Sequence, residues 1–433
     1  MISLHEVFER ANDDALIQAS LSHQAKTMTS SRILEIAYAV KAAIARGEQV
    51  ANFTVGDFAP SQFQIPALLK ESIVKAVQSD QTNYPPANGT PELRAAIQQH
   101  YETRLGLSFP LESFVVASGA RPVLYATYQC LIDPGETVVS PAPSWNNTNF
   151  CQLVGANHIT VPTRPEEGFM PTAENLAPVI GDARLLVLCS PMNPAGTLIS
   201  DTQLKDICTL VVNENRRRIA AGKRRLFMIY DQVYWMLAFG DNRHLTPQGV
   251  CPEITPYCIL TDAVSKSFAG TGLRVGWAAA PPFLADKIKS LMTHMGAWAP
   301  KPEQVGTTAL LSNSEAIDTF MTAFKEKVQS RLQALYDGFT TMKNDGLPVD
   351  TIRPQGAIYL SAYIDYTQLE GIADEAALVE LLLKEAGCAV VPFSAFGDEV
   401  NTGWFRFSVG AVTDAEIADV LPRVKRVLET RGR

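Results

Sequence analysis

The segment TDAVSKSFAGTGLRVGW, residues 261–277, decides the fold and places one lysine in an unusual setting. Lys266 follows an apolar, strand-like run, and a glycine-rich turn separates it from Arg274, eight residues further on. A lysine that reacts as a free amine must be held rigidly and partly desolvated, because desolvation lowers its pKa. An arginine supplies a fixed cation for a phosphate. The segment therefore suggests a reactive lysine beside a phosphate anchor, although a single Ser-Lys after a strand is more often a surface lysine.

Composition bounds the class of protein. The 433 residues are enough for two domains, and the net charge of −8 without a basic stripe argues against nucleic acid as a partner. No apolar run approaches the ~20 residues that a membrane-spanning helix needs. Seven cysteines without CxxC pairs and six histidines without metal-binding spacing predict reduced thiols and no metal site. The first ten residues resemble neither a signal nor a transit peptide, so we expect a cytoplasmic enzyme.

Short apolar, β-branched runs alternate with amphipathic stretches through the middle of the chain. This alternation predicts an α/β layer on a mainly parallel sheet, in which ligands bind at the carboxyl ends of the strands. The runs that we interpret as buried strands are Phe114–Val116, Thr137–Val139, His158–Val161, Leu185–Cys189, Leu226–Tyr230, Tyr257–Thr261 and Val275–Ala279. The helical patterns between them include Arg121–Leu131, Asp201–Ile219 and Pro282–Met295.

A change of pattern after about residue 305 predicts a second, smaller α+β domain. A long helical pattern from Gln304 to Met342, which a break could interrupt, comes first. The shorter elements that follow are Ala357–Ile364, Asp374–Glu385, Ala389–Val391, Trp404–Val409 and a helix from Asp414. We expect residues 1–55 to form an N-terminal arm and part of the small domain, residues 56–305 the large domain, and residues 306–433 the small domain.

Two strand ends carry polar side chains in fixed surroundings. In SPMNPAGT, residues 190–197, prolines flank Asn193, whose amide could donate to a phenolate oxygen; as structure alone, an Asn-Pro turn is common. Asp231 follows the next strand, where a carboxylate can pair with a protonated pyridine nitrogen, and Tyr234 lies three residues later in a predicted helical turn. Without a ligand, Asp231 would simply cap that helix at its N-terminus.

A helix N-terminus and an indole belong to the same edge of the predicted sheet. Gly119 and Ala120 join a strand to a helix whose first N–H groups and dipole favour a phosphate, and their small size lets the backbone come close. Trp145 could stack on a planar ring, although a Trp in a proline-rich loop is more often simple packing. A reactive lysine with a phosphate anchor is what an enzyme of pyridoxal 5′-phosphate (PLP) needs.

In their order along the chain these motifs resemble the class I and II aminotransferases of PLP fold type I, and most of all their aspartate aminotransferase branch. The resemblance rests on P-x-N-P-x-G at residues 191–196, D-x-x-Y at 231–234, S-K-x-F-x-x-T-G-x-R-x-G-W at 265–277 and the late Arg406. Gly56-Asp57-Phe58 and YPPANGTPELR at residues 84–94 match as well. It covers roughly residues 30–430 and implies a mainly parallel seven-stranded sheet between helices, plus a smaller α+β domain.

The resemblance also implies PLP as cofactor and a role for each matching residue. Lys266 would form the Schiff base with PLP and shuttle the proton, while Asp231 keeps the pyridine nitrogen protonated. The other implied contacts are Asn193 and Tyr234 to the phenolic oxygen; Arg274, Ser265 and the backbone of Gly119 and Ala120 to the phosphate; Trp145 to the ring face; Tyr84 to the phosphate of the partner subunit; and Arg406, Asn193 and the backbone at Gly56 to the substrate α-carboxylate. Sharing of Tyr84 between subunits implies a homodimer.

Three positions depart from the family pattern. Ala263 stands where many relatives carry a Ser or Thr that binds the phosphate, Gln232 stands where Glu is usual, and Ala120 lacks a hydroxyl found in part of the family. We therefore expect phosphate binding to depend more on Arg274 and on backbone donors, with the chemistry unchanged.

The expected reaction is transfer of an amino group from an L-amino acid, aspartate favoured, to 2-oxoglutarate in a ping-pong cycle. Arg121 occupies a position where one bacterial subgroup carries a lysine that meets the side-chain carboxylate; alternatively, it is a solvated charge in the first turn of a helix, or extra positive charge near the phosphate. The segment from Met292 to Pro302 would line the side-chain pocket from the partner subunit. Its apolar content would also suit aromatic or methionine-like substrates.

Two further functions stay open on the sequence. The same residues serve a PLP lyase or synthase, such as a C–S β-lyase or an aminocyclopropanecarboxylate-synthase-like enzyme, because fold does not fix reaction outcome. A non-enzymatic effector domain of a transcription regulator would need a fused DNA-binding domain. The roughly 30 residues before the fold are too few for that and are not basic.

Overall fold

The computed structural model describes residues 4–12, 14–28, 32–398 and 401–432. The strands are β1 (Ala51–Asn52), β2 (Phe114–Ala117), β3 (Thr137–Ala142), β4 (Asn157–Pro162), β5 (Ala183–Cys189), β6 (Phe227–Asp231), β7 (Cys258–Ala263), β8 (Gly276–Ala279), β9 (Val349–Thr351), β10 (Tyr359–Ile364), β11 (Cys388–Ala389), β12 (Val391–Pro392) and β13 (Trp404–Ser408). The helices are α1 (His5–Asn12), α2 (Ala15–Ala19), α3 (His23–Thr27), α4 (Arg32–Ala45), α5 (Ala67–Gln78), α6 (Pro91–Leu105), α7 (Ala120–Leu131), α8 (Asn147–Val154), α9 (Ala173–Ile180), α10 (Asp201–Ala220), α11 (Pro247–Val250), α12 (Val264–Ser267), α13 (Pro282–Met295), α14 (Lys301–Leu311), α15 (Ser314–Asn344), α16 (Glu375–Ala386) and α17 (Asp414–Arg431).

Seven strands form the central sheet, in the order β2-β8-β7-β6-β5-β3-β4. Strand β8 runs antiparallel to both of its neighbours, and the pairs from β7 through β4 are all parallel. The predicted fold class, an α/β fold with a mainly parallel seven-stranded sheet, is therefore confirmed. This order brings the carboxyl ends of β2, β3, β5, β6 and β7 to one edge, together with the start of β8.

Both faces of the sheet are buried, which is why its strands appear in the sequence as continuous apolar runs. In β5, Leu186 and Leu188 belong to one core cluster, while Leu185 and Val187 belong to another on the opposite face. Helices α6, α9 and α10 contribute to the first cluster, and α7, α8 and α13 to the second. No helix in the described part of the chain is long and apolar enough to cross a membrane.

The C-terminal part carries a smaller antiparallel sheet in the order β12-β13-β10-β9, packed with α15, α16 and α17. Strand β1 pairs in parallel with β11, which brings the end of the N-terminal segment beside this part of the chain. Helix α14 begins before residue 305, ends after it and packs against α5. The domain bounds at residues 55 and 305 stay a prediction.

The long helical pattern divides into α14 and α15 at a break of the kind the sequence allowed, because the Asn313 side chain accepts from Ala316 N at 2.9 Å and starts a new helix. One local prediction differs from the structure. The predicted helical turn after Asp231 is wrong, and so is the reading of Asp231 as a helix cap. The chain there makes successive tight turns, in which Val233 N donates to Asp231 Oδ1 at 3.3 Å and Trp235 N donates to the Gln232 carbonyl at 2.8 Å.

Candidate active site

A cavity of about 1100 Å³ lies at the carboxyl edge of the central sheet and is also lined by β10 and β13 of the small sheet. Of the thirteen predicted site residues, all except Gly119 and Tyr84 line it: Gly56, Ala120, Arg121, Trp145, Asn193, Asp231, Tyr234, Ser265, Lys266, Arg274 and Arg406. Residues that are far apart in sequence therefore converge on one space, because the strand ends that carry most of them meet at one edge of the central sheet, while Arg406 comes from β13 of the small sheet.

Lys266 lies in the single-turn helix α12, directly after β7, and is half-buried in the cavity wall. Burial lowers the pKa of its amine from 10.5 to about 8, and the nearby Asp57 carboxylate only partly opposes this effect. The Nζ atom donates a hydrogen bond to the Gly56 carbonyl and lies 5.9 Å from the centre of the Tyr234 ring. The amine is thus held in place without a direct ion pair to a carboxylate of the described chain.

Asp231 is the last residue of β6 and is 9% exposed. Burial raises the pKa of its carboxyl from 3.8 to about 6, although the hydrogen bond from Val233 N and the charge of Lys266 act in the opposite direction. A buried carboxylate of this kind gains most from a cationic hydrogen-bond donor placed against it. A protonated ring nitrogen is such a donor.

Arg406 lies in β13 and is almost fully buried, at 2% exposure. Its Nη1 donates to Asn193 Oδ1 at 2.9 Å, and its Nη2 donates to the Thr54 carbonyl at 2.6 Å. Its Nε is buried without a hydrogen-bond partner among the described residues. The guanidinium lies between two rings, 4.6 Å from that of Tyr359 and 4.8 Å from that of Phe396. This is a rigid, dehydrated cation with N–H groups left for a carboxylate.

Tyr234 and Tyr359 both line the cavity and contact each other through their hydroxyl groups. Their hydroxyl oxygens are 2.6 Å apart and their ring planes are inclined at 72°. Burial raises the pKa of both phenols, so both are neutral at physiological pH. Tyr359 comes from β10, and the sequence analysis did not identify it.

At the other end of the cavity the chain forms an anion cradle. Gly119 precedes α7 with φ of +99°, and a side-chain carbon there would overlap the Arg274 guanidinium. Arg274, itself at φ of +55°, donates through Nη1 to the Thr271 carbonyl at 2.6 Å and through Nη2 to the Ser118 carbonyl at 3.0 Å. Ala120 and Ser265 line the same space. A fixed arginine beside a free helix N-terminus suits a phosphate.

Trp145 lies between β3 and α8 and lines the cavity with Arg121, whose guanidinium is 4.6 Å from the indole. Arg121 is exposed in the single chain, at the start of α7. The indole covers one face of the guanidinium and shields that face from bulk solvent, while the cation lines the cavity. It is compatible with a carboxylate-binding role, which stays a prediction beside the alternative of a solvated charge in the first turn of α7.

Two predicted features lie outside the cavity of the single chain. Tyr84 is 82% exposed, and its ring contacts Trp298 with centroids 5.1 Å apart. No residue of the segment 292–302 lines the cavity. Both features were predicted to contribute to the site of a neighbouring subunit. In this chain they lie outside the cavity, on a surface that faces outward.

Several cavity residues were not identified from the sequence. Asp57 and Thr271 lay inside the quoted motifs without a role, and Thr271 Oγ1 donates to Asp57 Oδ1 at 2.5 Å. Ser144 and Asn147, at the Trp145 loop, also line the cavity. Membership of a family motif was a usable signal for Asp57 and Thr271, whereas Tyr359 lies in an apolar strand pattern that gave none.

The residues suit PLP at each part of that molecule. Any side chain larger than hydrogen at position 119 would overlap the Arg274 guanidinium, so glycine keeps this end of the cavity open. The guanidinium and the start of α7 offer donors for a phosphate there. Lys266 supplies an amine of lowered pKa, and Asp231 supplies a buried carboxylate that needs a cationic partner. Fold and site together define a PLP-dependent enzyme of fold type I.

Comparison with known proteins identifies the family. The model of the family described as aminotransferase class I and II matches residues 48–424, so the chain belongs to that family. The protein is an aminotransferase, and its cofactor is PLP.

The curated relatives are similar over almost the whole chain. The aspartate/prephenate aminotransferase of Thermus thermophilus is 29% identical over 388 residues, which is 88% of this chain and 92% of that protein. The aspartate aminotransferase of Geobacillus stearothermophilus is 27% identical over 425 residues, which is 95% of this chain and all of that protein. A solved structure, the Thermus thermophilus aspartate aminotransferase with maleate, has a TM-score of 0.84 at 27% identity and covers 94% of this chain and 100% of that one. These names do not favour the lyase or the aromatic alternatives.

Proposed function

We propose that this aminotransferase moves the amino group of L-aspartate to 2-oxoglutarate in a ping-pong cycle. The observation that carries the proposal is one cavity that holds a low-pKa lysine, a buried carboxylate and a buried arginine with unfilled N–H groups. The relatives named above, which are aspartate aminotransferases, support the choice of donor.

When bound, PLP supplies a carbonyl carbon that condenses with amines and a ring that accepts the electron pair of a broken Cα–H bond. Asp231 holds a proton on the ring nitrogen, and this keeps the ring electron-poor. Arg274 and the N–H groups at the start of α7 hold the phosphate. Asn193 and Tyr234 donate to the phenolic oxygen.

Arg406 orients the substrate. Its planar guanidinium is fixed by Asn193 and Thr54, so an α-carboxylate that binds it has one preferred orientation. The rings of Tyr359 and Phe396 exclude water from its two faces and strengthen that contact. The Cα–H bond of the substrate is thereby presented to the amine of Lys266.

Lys266 moves the proton from the substrate Cα. At a pKa of about 8, roughly a tenth of the amine is neutral at pH 7, whereas at 10.5 fewer than about one in a thousand molecules would be. Burial therefore raises the fraction of neutral amine that can act as a base.

The preference for aspartate rests on Arg121. Its contact with Trp145 holds a second cation at the cavity, separate from Arg406. A four-carbon dicarboxylate could then pair one carboxylate with each arginine. A substrate with an apolar side chain would leave Arg121 without a partner, and this difference sets the specificity.

We also propose that the active unit is a homodimer in the cytoplasm. The exposed Tyr84 and the outward segment 292–302 support the dimer, since each would complete the cavity of a partner subunit. The seven cysteines are all unpaired thiols, which supports a reducing compartment.

A half-reaction tests the donor. PLP-loaded protein is mixed with aspartate, glutamate, phenylalanine or methionine without an oxo acid, and the absorption band of the cofactor is followed. Conversion to the amine form, fastest with aspartate, is expected. If the band persists while pyruvate and ammonia accumulate from a cysteine-like substrate, a lyase replaces the proposal. Prephenate, which appears in the name of one relative, is included beside 2-oxoglutarate as a possible acceptor.

Subunit mixing tests the shared site. Lys266→Ala lacks the base, and Tyr84→Ala lacks the contact with the partner's phosphate. A hybrid dimer of the two has one site with both residues, so a random mixture at limiting PLP should regain about a quarter of wild-type activity. If the mixture shows only the mean of the two variants, Tyr84 acts within its own subunit or not at all.

A further inference from the structure

Tyr359 contacts both Tyr234, which is proposed to bind the cofactor, and Arg406, which is proposed to bind the substrate. In the antiparallel pair of β10 and β13, Tyr359 lies opposite Ser408, and Arg406 is the diagonal neighbour on the same face. The Arg406 guanidinium therefore lies over the Tyr359 ring at 4.6 Å, while the Tyr359 hydroxyl reaches Tyr234 at 2.6 Å.

The backbone at Gly56 closes the space around this hydroxyl. A side-chain carbon at Gly56 would lie 2.8 Å from the Tyr359 oxygen and 3.8 Å from Arg406 Nη1. Gly56 is itself held by the hydrogen bond from Lys266 Nζ to its carbonyl. Among the described residues, Tyr234 is the hydrogen-bond partner of Tyr359, which is 0% exposed.

The two hydroxyl oxygens are 2.6 Å apart, so only one of the two hydroxyl groups can donate in the hydrogen bond between them. The proton of the other hydroxyl must point to a different acceptor. If Tyr234 donated to Tyr359, the buried Tyr359 proton would have no acceptor among the described residues. If Tyr359 donates, Tyr234 keeps its proton for the phenolic oxygen of PLP. The charge of Arg406 over the Tyr359 ring also makes that phenol the more acidic donor of the pair.

We propose that Tyr359 is a positioning residue that donates to Tyr234 and so directs the Tyr234 proton to the cofactor, while its ring supports Arg406. The hydroxyl acts on the cofactor through Tyr234, and the ring acts on the substrate through Arg406. The proposal rests on the proposed contact between Tyr234 and PLP.

Tyr359→Phe removes the hydroxyl and keeps the ring. A hydroxyl that accepts a hydrogen bond is a stronger donor, so this variant should weaken the bond from Tyr234 to the phenolic oxygen. The lysine-bound cofactor would then hold its proton more tightly, and the pKa read from its visible absorption should rise by about half a unit. The other titratable groups near the two phenols, which include Arg406, Cys189, Asp57, Arg121 and Lys266, are unchanged in the variant.

The sign of the shift decides the direction of the hydrogen bond. A fall in that pKa would mean that Tyr234 donates to Tyr359 and would overturn the proposal, and an unchanged value would overturn it as well. Tyr363→Phe is the matched control, because Tyr363 lies on the same strand against Trp404, outside the cavity, and should titrate as wild type.

Two more variants separate this inference from the proposed function. Tyr234→Phe should raise the same pKa more than Tyr359→Phe does; a shift with Tyr234→Phe alone would keep the cofactor contact and reject the role of Tyr359. Tyr359→Leu removes the ring below Arg406 and should weaken maleate binding, measured as a spectral titration, by about tenfold. If Tyr359→Leu binds maleate as tightly as Tyr359→Phe, the ring does not support Arg406. The thermal midpoint of each variant verifies that it folds.

Discussion

Asp231→Asn should stabilise the cofactor-free protein while it weakens the binding of PLP. The pKa of Asp231 is 3.8 in an unfolded chain and about 6 in the folded protein, because the carboxylate is buried. The folded state therefore holds the proton more tightly, and the stability that this proton confers is present below about pH 4 and is lost as the pH rises through about 6. At about 1.4 kcal/mol per pH unit, the wild type loses about 3 kcal/mol of folding free energy once the pH is above about 6. Asparagine carries no charge, so the variant does not lose this stability as the pH rises.

The assay is urea unfolding of the cofactor-free wild type and variant at about pH 7.5 and about pH 5. The variant should be more stable by up to about 3 kcal/mol at the higher pH and by about half as much at the lower pH, where the wild-type carboxyl is largely protonated when folded. Addition of PLP should reverse the order, since only the carboxylate can hold the ring nitrogen protonated. A variant that is less stable without cofactor, or a difference that does not change with pH, would refute the reasoning from burial.

Three further substitutions address the two ends of the cavity. Arg406→Lys replaces a fixed fork by a single ammonium, so KM for aspartate should rise about 10- to 100-fold in steady-state kinetics, with a smaller change in kcat; an unchanged KM would exclude Arg406 as the carboxylate site. Arg121→Gln should raise KM for aspartate about tenfold and leave phenylalanine unaffected, and equal losses for both donors would reject the role of Arg121 in specificity. Gly119→Ala should weaken PLP binding, followed by tryptophan fluorescence, at least about tenfold, because a side-chain carbon would overlap Arg274 at φ of +99°. Gly272→Ala is its control, since a carbon there meets nothing within 4 Å and wild-type affinity is expected.

The central sheet was predictable because burial on both faces leaves a simple trace in sequence. Strands such as β5 and β6 are apolar runs without alternation, and their bounds in the structure differ from the predicted ones by one or two residues. The segment after Asp231 was not predictable in the same way. The hydrogen bonds from Val233 N and Trp235 N produce turns where a spacing of three residues between Asp231 and Tyr234 also fits a helix.

The site could be predicted where a residue follows a strand of the central sheet, because topology alone brings such strand ends together. Lys266, Asp231 and Asn193 are of this kind. Tyr359 is not, since it is the first residue of β10 and looks like any other member of an apolar strand. Its contact with Tyr234 depends on how the small sheet packs against the large one, and its contact with Arg406 depends on the pairing of β10 with β13; no local pattern records either.

The two motif residues that fall outside the cavity bear on the assembly. Tyr84 belongs to a sequence motif that matches the family, yet 82% of its surface is exposed and its ring contacts Trp298, which lies in the other outward segment. Two features that the family resemblance assigns to a neighbouring site thus lie together on one surface. In the proposed homodimer, this one surface patch would deliver both a phosphate contact and a pocket wall to the partner subunit.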